Sequence, residues 1–255
     1  MVENNLQILI DNAIENTVVK LTSDIVVAET TIVSKNITID LNGYTIKNTE
    51  DIWNEDAKSW SLISVRNGGI LTLLDSSDAG TGTLCAKEND CFAVDVRNGG
   101  MLIVESGNYI GNISSVYVHS GTAYINGGYY KVQQISGANG YGETINCYDA
   151  NFKNGTAKVI ISGGSFYNFD PTDAAEPADC GRSYLSKNTK MVYDEVTNSY
   201  KVTKREFKIV ATTSDKIEAL GIKDGQLIFV QDKGKIAFDF SVLRTVSLRP
   251  PFRQG

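Results

Sequence analysis

From residue 18 the chain alternates apolar and polar positions with a period of two, the signature of short pleated strands. The stretch VVKLTSDIVVAETTIVSKNITIDLNGYTIKN holds three or four such runs, rich in Thr, Val and Ile and separated by polar pairs. No helical pattern lies between them, which excludes a doubly wound α/β sheet. Ahead of them, residues 4–15 set Leu6, Leu9, Ile10, Ala13 and Ile14 at helical spacing. That spacing predicts one short amphipathic helix capping the open end of the β-region.

Within ITIDLNGYTIKN (37–48) an Asn-Gly interrupts the alternation, as in a hairpin or a corner between two sheets. The repeats decide for the corner. SVRNGGILTLLDSS (64–77) recurs as DVRNGGMLIVESGNY (95–109), as YVHSGTAYINGGYY (117–130), and more loosely as NFKNGTAKVIISGGSFYNF (151–169). Each unit has an apolar residue, a Gly-containing turn, a short strand and often Gly-x-aromatic. Aligning Gly69, Gly100 and Gly121 gives steps of 31 and 21 residues. Steps of about 20 to 25 residues match one coil of a parallel β-solenoid. The longer step implies an insertion, read as SSDAGTGTLCAKENDC (76–91). Val65, Leu71, Leu73, Val96, Leu102, Val104, Val118, Ile125, Val159 and Ile161 are the expected inward ladders.

The character changes at 170–206. DPTDAAEPADCG reads as a loop leaving the coils, and SKNTKMVYDEVTNSYKVT as a hairpin covering the last coil's open edge. In 207–248, QLIFV and KIAFDF read as strands joined at QDKG, a module of about 45 residues that barely buries a core alone. The tail RPPFRQG cannot continue a sheet. The expected organisation is a capping helix in 1–17, a β-solenoid with its closing hairpin in 18–204, and a β-hairpin module with tail in 205–255. The fold class is all-β, a right-handed parallel β-solenoid.

Charge and composition narrow the function. A net charge of −6 with no basic run disfavours nucleic acid as a partner. The first residues lack the marks of a signal peptide, and no stretch reaches the roughly 18 apolar residues of a membrane span. These features predict a soluble chain that folds in a cytoplasm. Cys85, Cys91, Cys147 and Cys180 form no CxxC pair and are expected as free thiols. With His119 the sole histidine, neither a metal site nor a cofactor is expected.

Residues 5–204, through DLNGYTI, NGGILTLLDSS, SGGSFYNF and the closing hairpin, resemble right-handed β-helix domains of the pectin-lyase-like type, in their non-catalytic branch. IKDGQLIFVQDKGKIAFDFSVLRT resembles a β-module of bacteriophage tail, fibre and capsid-appendage proteins. It keeps Asp239 and Arg244 but lacks the usual loop Gly.

Pectin-lyase-like folds include lyases and hydrolases. A lyase wants clustered Asp for calcium with an Arg or Lys base, for which Asp40, Asp75, Asp95, Arg66 and Arg97 are the candidates. The simpler reading of Asp40 and Asp75 is turn capping. No compact carboxylate pair of the hydrolase kind stands out. His119 reads as a solvated turn residue, and Asp232 with Asp239 as turn and edge charges rather than a cation site. The aromatics Trp53, Trp60, Tyr129, Tyr130, Tyr141 and Tyr148 are candidates for glycan or interface contact, against local loop packing. Phe229, Phe238, Asp239 and Arg244 are candidates for anchoring or oligomerisation.

The resemblance implies a structural virion protein of a bacteriophage, assembled in the host cytoplasm. Its expected partners are other virion proteins through 205–255, copies of itself with a trimer favoured, and host-surface polysaccharide. The alternatives are a bacterial surface adhesin or glycan-binding module, and a phage polysaccharide depolymerase.

Overall fold

The structure is a computed structural model that describes residues 5–52, 60–87, 90–134, 143–172, 183–205, 207–209, 227–232 and 235–237. The chain is mostly β, with parallel sheets, and divides into two compact units, Met1–Lys204 and Arg205–Gly255.

In the first unit every strand up to β17 belongs to one of three parallel sheets. The first sheet orders β1 (Val18–Lys20), β4 (Asn36–Asp40), β7 (Ile70–Leu74), β10 (Gly100–Val104), β13 (Gly121–Ile125) and β16 (Ala157–Ile161). The second runs β2 (Ile25–Val26), β5 (Thr45–Lys47), β8 (Thr83–Cys85), β11 (Asn108–Gly111), β14 (Tyr129–Val132) and β17 (Gly164–Tyr167). The third runs β3 (Thr31–Val33), β6 (Ser61–Val65), β9 (Phe92–Val96), β12 (Val116–Val118) and β15 (Ile145–Cys147). Each strand therefore pairs with the one three places further along the chain.

The DLNG stretch forms a corner. β4 and β5 flank it but pair with β7 and β8, not with each other. Asn42 and Gly43 have φ of 47° and 84°. Two consecutive left-handed residues also suit a type I′ hairpin turn, so the dipeptide alone could not decide. The repeat alignment holds in space: Gly100 pairs with Gly121, and Met101 with Ile70. A Cβ on Gly100 would lie 2.4 Å from the Val65 carbonyl oxygen at the end of β6, so this corner needs glycine.

Inward residues stack in ladders. Ile37, Leu71, Leu102, Ala123 and Val159 form one rung series, and Val33, Val65, Val96, Val118 and Cys147 another. All ten expected inward residues are buried. In the second sheet the ladder turns from aliphatic to aromatic: Ile25, Ile46, Leu84, Tyr109, Tyr130, Phe166. Tyr130 lies between Tyr109 and Phe166 with ring centroids 5.2 and 5.0 Å away.

The insertion read at 76–91 needs correction, because it contains strand β8. Three residues, Thr-Leu-Cys, give too few alternations to stand out. The corner from second to third sheet takes residues 27–30, 48–60, 86–91, 112–115 and 133–144, and 48–60 and 133–144 are the two longest connections between β1 and β17.

At the N-terminal end helix α1 (Asn5–Asn12) buries Leu6 and Ile10, while Leu9 and Ile14, expected on the same face, are 43% and 77% exposed. The helix stops before Ile14, so only one side of two turns reaches the core. At the other end β18 (Thr189–Asp194) and β19 (Ser199–Lys204) form the expected hairpin, with β19 antiparallel to β17. Its loop is longer than the expected two-residue turn, because the Asp194 carboxylate accepts from Val196 and Thr197 N–H and closes the chain early. A short helix not expected from the pattern, α2 (Asp149–Lys153), joins the third sheet to the first.

In the second unit β20 (Phe207–Ile209) runs parallel to β21 (Leu227–Asp232), which pairs antiparallel with β22 (Lys235–Ala237). The antiparallel pair is the expected hairpin, and β20 adds a third strand.

Candidate functional site

The third sheet carries the richest chemistry, on its outward side. Register places Ser64, Asp95, Tyr117 and Asn146 in one row. Two positions further along each strand, past the inward valines and Cys147, stand Arg66, Arg97, His119 and Tyr148. The repeat VRNGG, VRNGG, VHSG thus becomes a column of side chains in space.

Asp95 is fully buried and Arg97 nearly so. The Arg97 Nε–H donates to Asp95 Oδ2 in an ion pair, and Ser61 Oγ donates to Asp95 Oδ1 at 2.9 Å. The guanidinium lies 4.8 Å over the Trp60 ring centroid and 5.9 Å from that of Tyr117. Its Nη2 is buried without a hydrogen-bond partner among the described residues. Arg66 Nε donates to Ser64 Oγ at 2.5 Å. Burial lowers the Arg66 pKa, Asp95 opposes that, and Arg97 adds to it.

Aromatic rings continue the column. Phe92 stacks on Tyr117 at 4.8 Å, and His119 stacks on Tyr148 at 5.0 Å. Burial pushes the Tyr117 phenol up to about 12. Burial and Arg97 lower the His119 pKa against the pull of Asp95, so the imidazole is neutral at pH 7. Tyr148, 44% exposed, presents the open end of the column. A ring ladder backed by a buried Arg–Asp pair suits stacking on a flat ligand face, sugar rings included. The nearby Cys91 thiol is pushed up to about 12 by burial, with Asp51 and Asp95 adding to it, which keeps it from acting as a thiolate nucleophile.

The Asp set considered for calcium is not brought together. Asp40 and Asp75 stand at the corner between first and second sheets, away from Asp95 on the third. Asp40 accepts from Asn42 N–H, Ser76 N–H and Ser76 Oγ, and pairs with Lys20 at 3.4 Å. Asp75 accepts from Gly43, Ser77 and Gly82 N–H and from Ser77 Oγ. Both are turn caps. Among the described residues no three of His, Cys, Asp and Glu converge as a metal site. Cys85, Cys91 and Cys147 are free thiols.

Of the aromatic candidates, Trp60 joins the column under Arg97. Tyr129 is half-buried on the outward side of the second sheet. Tyr130 is a correction: it is fully buried, and its hydroxyl donates to Gly127 O at 2.7 Å. Adjacent strand residues point to opposite faces, so only one of Tyr129 and Tyr130 can face out. Trp53, Tyr141, Phe238, Asp239, Arg244 and Cys180 lie outside the described residues. For Phe229 and Asp232 only the backbone, in β21, is described. Sequence reasoning missed Tyr117 and Phe92 and took His119 for a turn residue.

Comparison with protein families, curated proteins and solved structures finds no match to this chain. No helix among the described residues is long and apolar enough to cross a membrane.

Proposed function

We propose that residues 18–204 wind as a right-handed, non-catalytic β-solenoid with three strands per coil, serving as a structural appendage of a bacteriophage particle. The observation that carries the solenoid is the constant pairing of each strand with the third one after it. The structural role draws on the commitment of Asp40 and Asp75 to turns and of Asp95 to Arg97, which leaves none of the three free for acid–base work. The virion setting draws on the sequence resemblance of the 205–255 module to phage appendage modules. That module anchors the chain to other virion proteins, and the column ending at Tyr148 meets host-surface polysaccharide.

Two measurements test this. An antibody to the chain should label the outside of virus particles; label confined to bacterial surfaces sinks the virion reading and leaves an adhesin. Incubated with bacterial surface polysaccharides, the chain should retain them, Tyr148→Ala should weaken retention, and no oligosaccharide should appear. Released oligosaccharide would establish a depolymerase instead.

A further inference from the structure

The sheet edges are unequal. On the N-terminal side the edge strands β1, β2 and β3 are two or three residues long, and α1 packs beside β2 and β3. On the other side β15 has three residues, and β16 gains a bridge from Ile161 to Leu185. Strand β18 differs. It is six residues long, ends the eight-stranded second sheet, and from Lys190 to Asp194 pairs on one side only, with β19, among the described residues. Val192 and Tyr193 on it are 59% and 45% exposed. An open edge of this length is a template for another strand.

We propose that β18 pairs antiparallel with β18 of a second copy of this chain, about a two-fold axis at Val192. The occupant is argued from the charge order Lys190-Met191-Val192-Tyr193-Asp194. Centred on Val192, self-pairing sets Lys190 opposite the second copy's Asp194, twice by symmetry. It also sets Met191 opposite Tyr193, and Val192 opposite itself. The faces agree as well. Met191 packs toward the core, so Lys190, Val192 and Asp194 share the other face. Moving the axis to Met191 or Tyr193 loses both ion pairs. Lys190 has no ion-pair partner among the described residues, and Asp194, which accepts from the Val196 and Thr197 N–H groups and the Thr197 side chain, is exposed and keeps carboxylate lone pairs to accept more. Two-fold pairing is self-complementary and doubles the eight-stranded sheet without a new edge at this strand. The contact uses no residue of 205–255 and is independent of where the protein resides.

The experiment is light scattering on the full-length chain over a concentration series. The wild type is expected at twice the 27.8 kDa chain mass. Lys190→Asp sets like charges opposite each other twice and should raise the dissociation constant about tenfold or more. Asp194→Lys alone should do the same, and mixing the two variants should restore pairing, because every Asp then faces a Lys. Lys190→Asp decides alone if Asp194→Lys, which loses its turn cap, fails to fold by circular dichroism. A wild type that stays monomeric, or a Lys190→Asp chain that pairs as the wild type does, overturns the proposal. Neither outcome bears on particle labelling or polysaccharide retention, which test the preceding reading.

Discussion

Asp75 ties two connections together with one carboxylate, holding Gly43, Ser77 and Gly82 by their backbone N–H groups. Removing it strands those donors at a half-buried corner. Asp75→Ala should cost about 2–4 kcal/mol in chemical unfolding, with Asp75→Asn recovering part of the loss. Burial pushes this carboxyl up, but the hydrogen bonds outweigh it and hold the carboxyl below the usual range; Asp40 behaves likewise through Ser76, Asn42 and Lys20. A carboxyl depressed in the fold contributes its stability in full above the unfolded pKa of about 4 and loses it as pH falls through the folded value. Thermal melts from pH 7 to pH 3 should therefore show a drop at the acid end, smaller in Asp75→Ala. The capping role was legible in sequence, since Asp precedes Asn-Gly or Ser-Ser at a strand end. The burial of Tyr130 was not: two adjacent tyrosines fit an alternating strand in either phase. Tyr130→Phe should cost about 1 kcal/mol, for the hydrogen bond to Gly127, and Tyr130→Ala about 3–5 kcal/mol, for the hole between Tyr109 and Phe166. Equal losses in the two variants would place the ring outside the core.

The strands themselves draw little from local preference. Many have three residues, too few to hold a pleat alone, and gain their order from partners three strands away along the chain. This is why the longer β7, β10 and β13 could be read from apolar periodicity while β8 disappeared into an apparent loop. It also makes the ends decisive. Leu6 and Ile10 are the fully buried side chains among those described in α1, so Leu6→Ala or Ile10→Ala should each cost about 2–5 kcal/mol. Hydrogen exchange should show the loss first in β1 to β3. Leu9→Ala, on the exposed side of the same turn, should change stability by less than about 0.5 kcal/mol. Equal effects at Leu6 and Leu9 would argue against this docking of the helix.

For the chain as a whole, the two compact units imply separate unfolding behaviour. A chain ending at Lys204 should keep its β circular dichroism and the acid-sensitive transition attributed to Asp40 and Asp75. Loss of the folded spectrum on that truncation would show that residues 205–255 are needed for the first unit to fold. The repeat spacing and the inward ladders were visible in sequence because strands paired in one parallel sheet impose the same burial on each repeat. The outward column was hidden, because its members are chemically unlike one another and only the strand register lines them up.

The corner between the second and third sheets has accepted connections of very different length while every flanking strand kept its partners. Lengthening it costs little beyond the slow growth of loop-closure entropy. It is a row of sockets at fixed pitch, since neighbouring strands of a sheet lie roughly 4.8 Å apart. Peptides added to successive connections of this corner would leave the sheets in the order of the strands they join, so the strand pairing can serve as a ruler for arranging foreign epitopes.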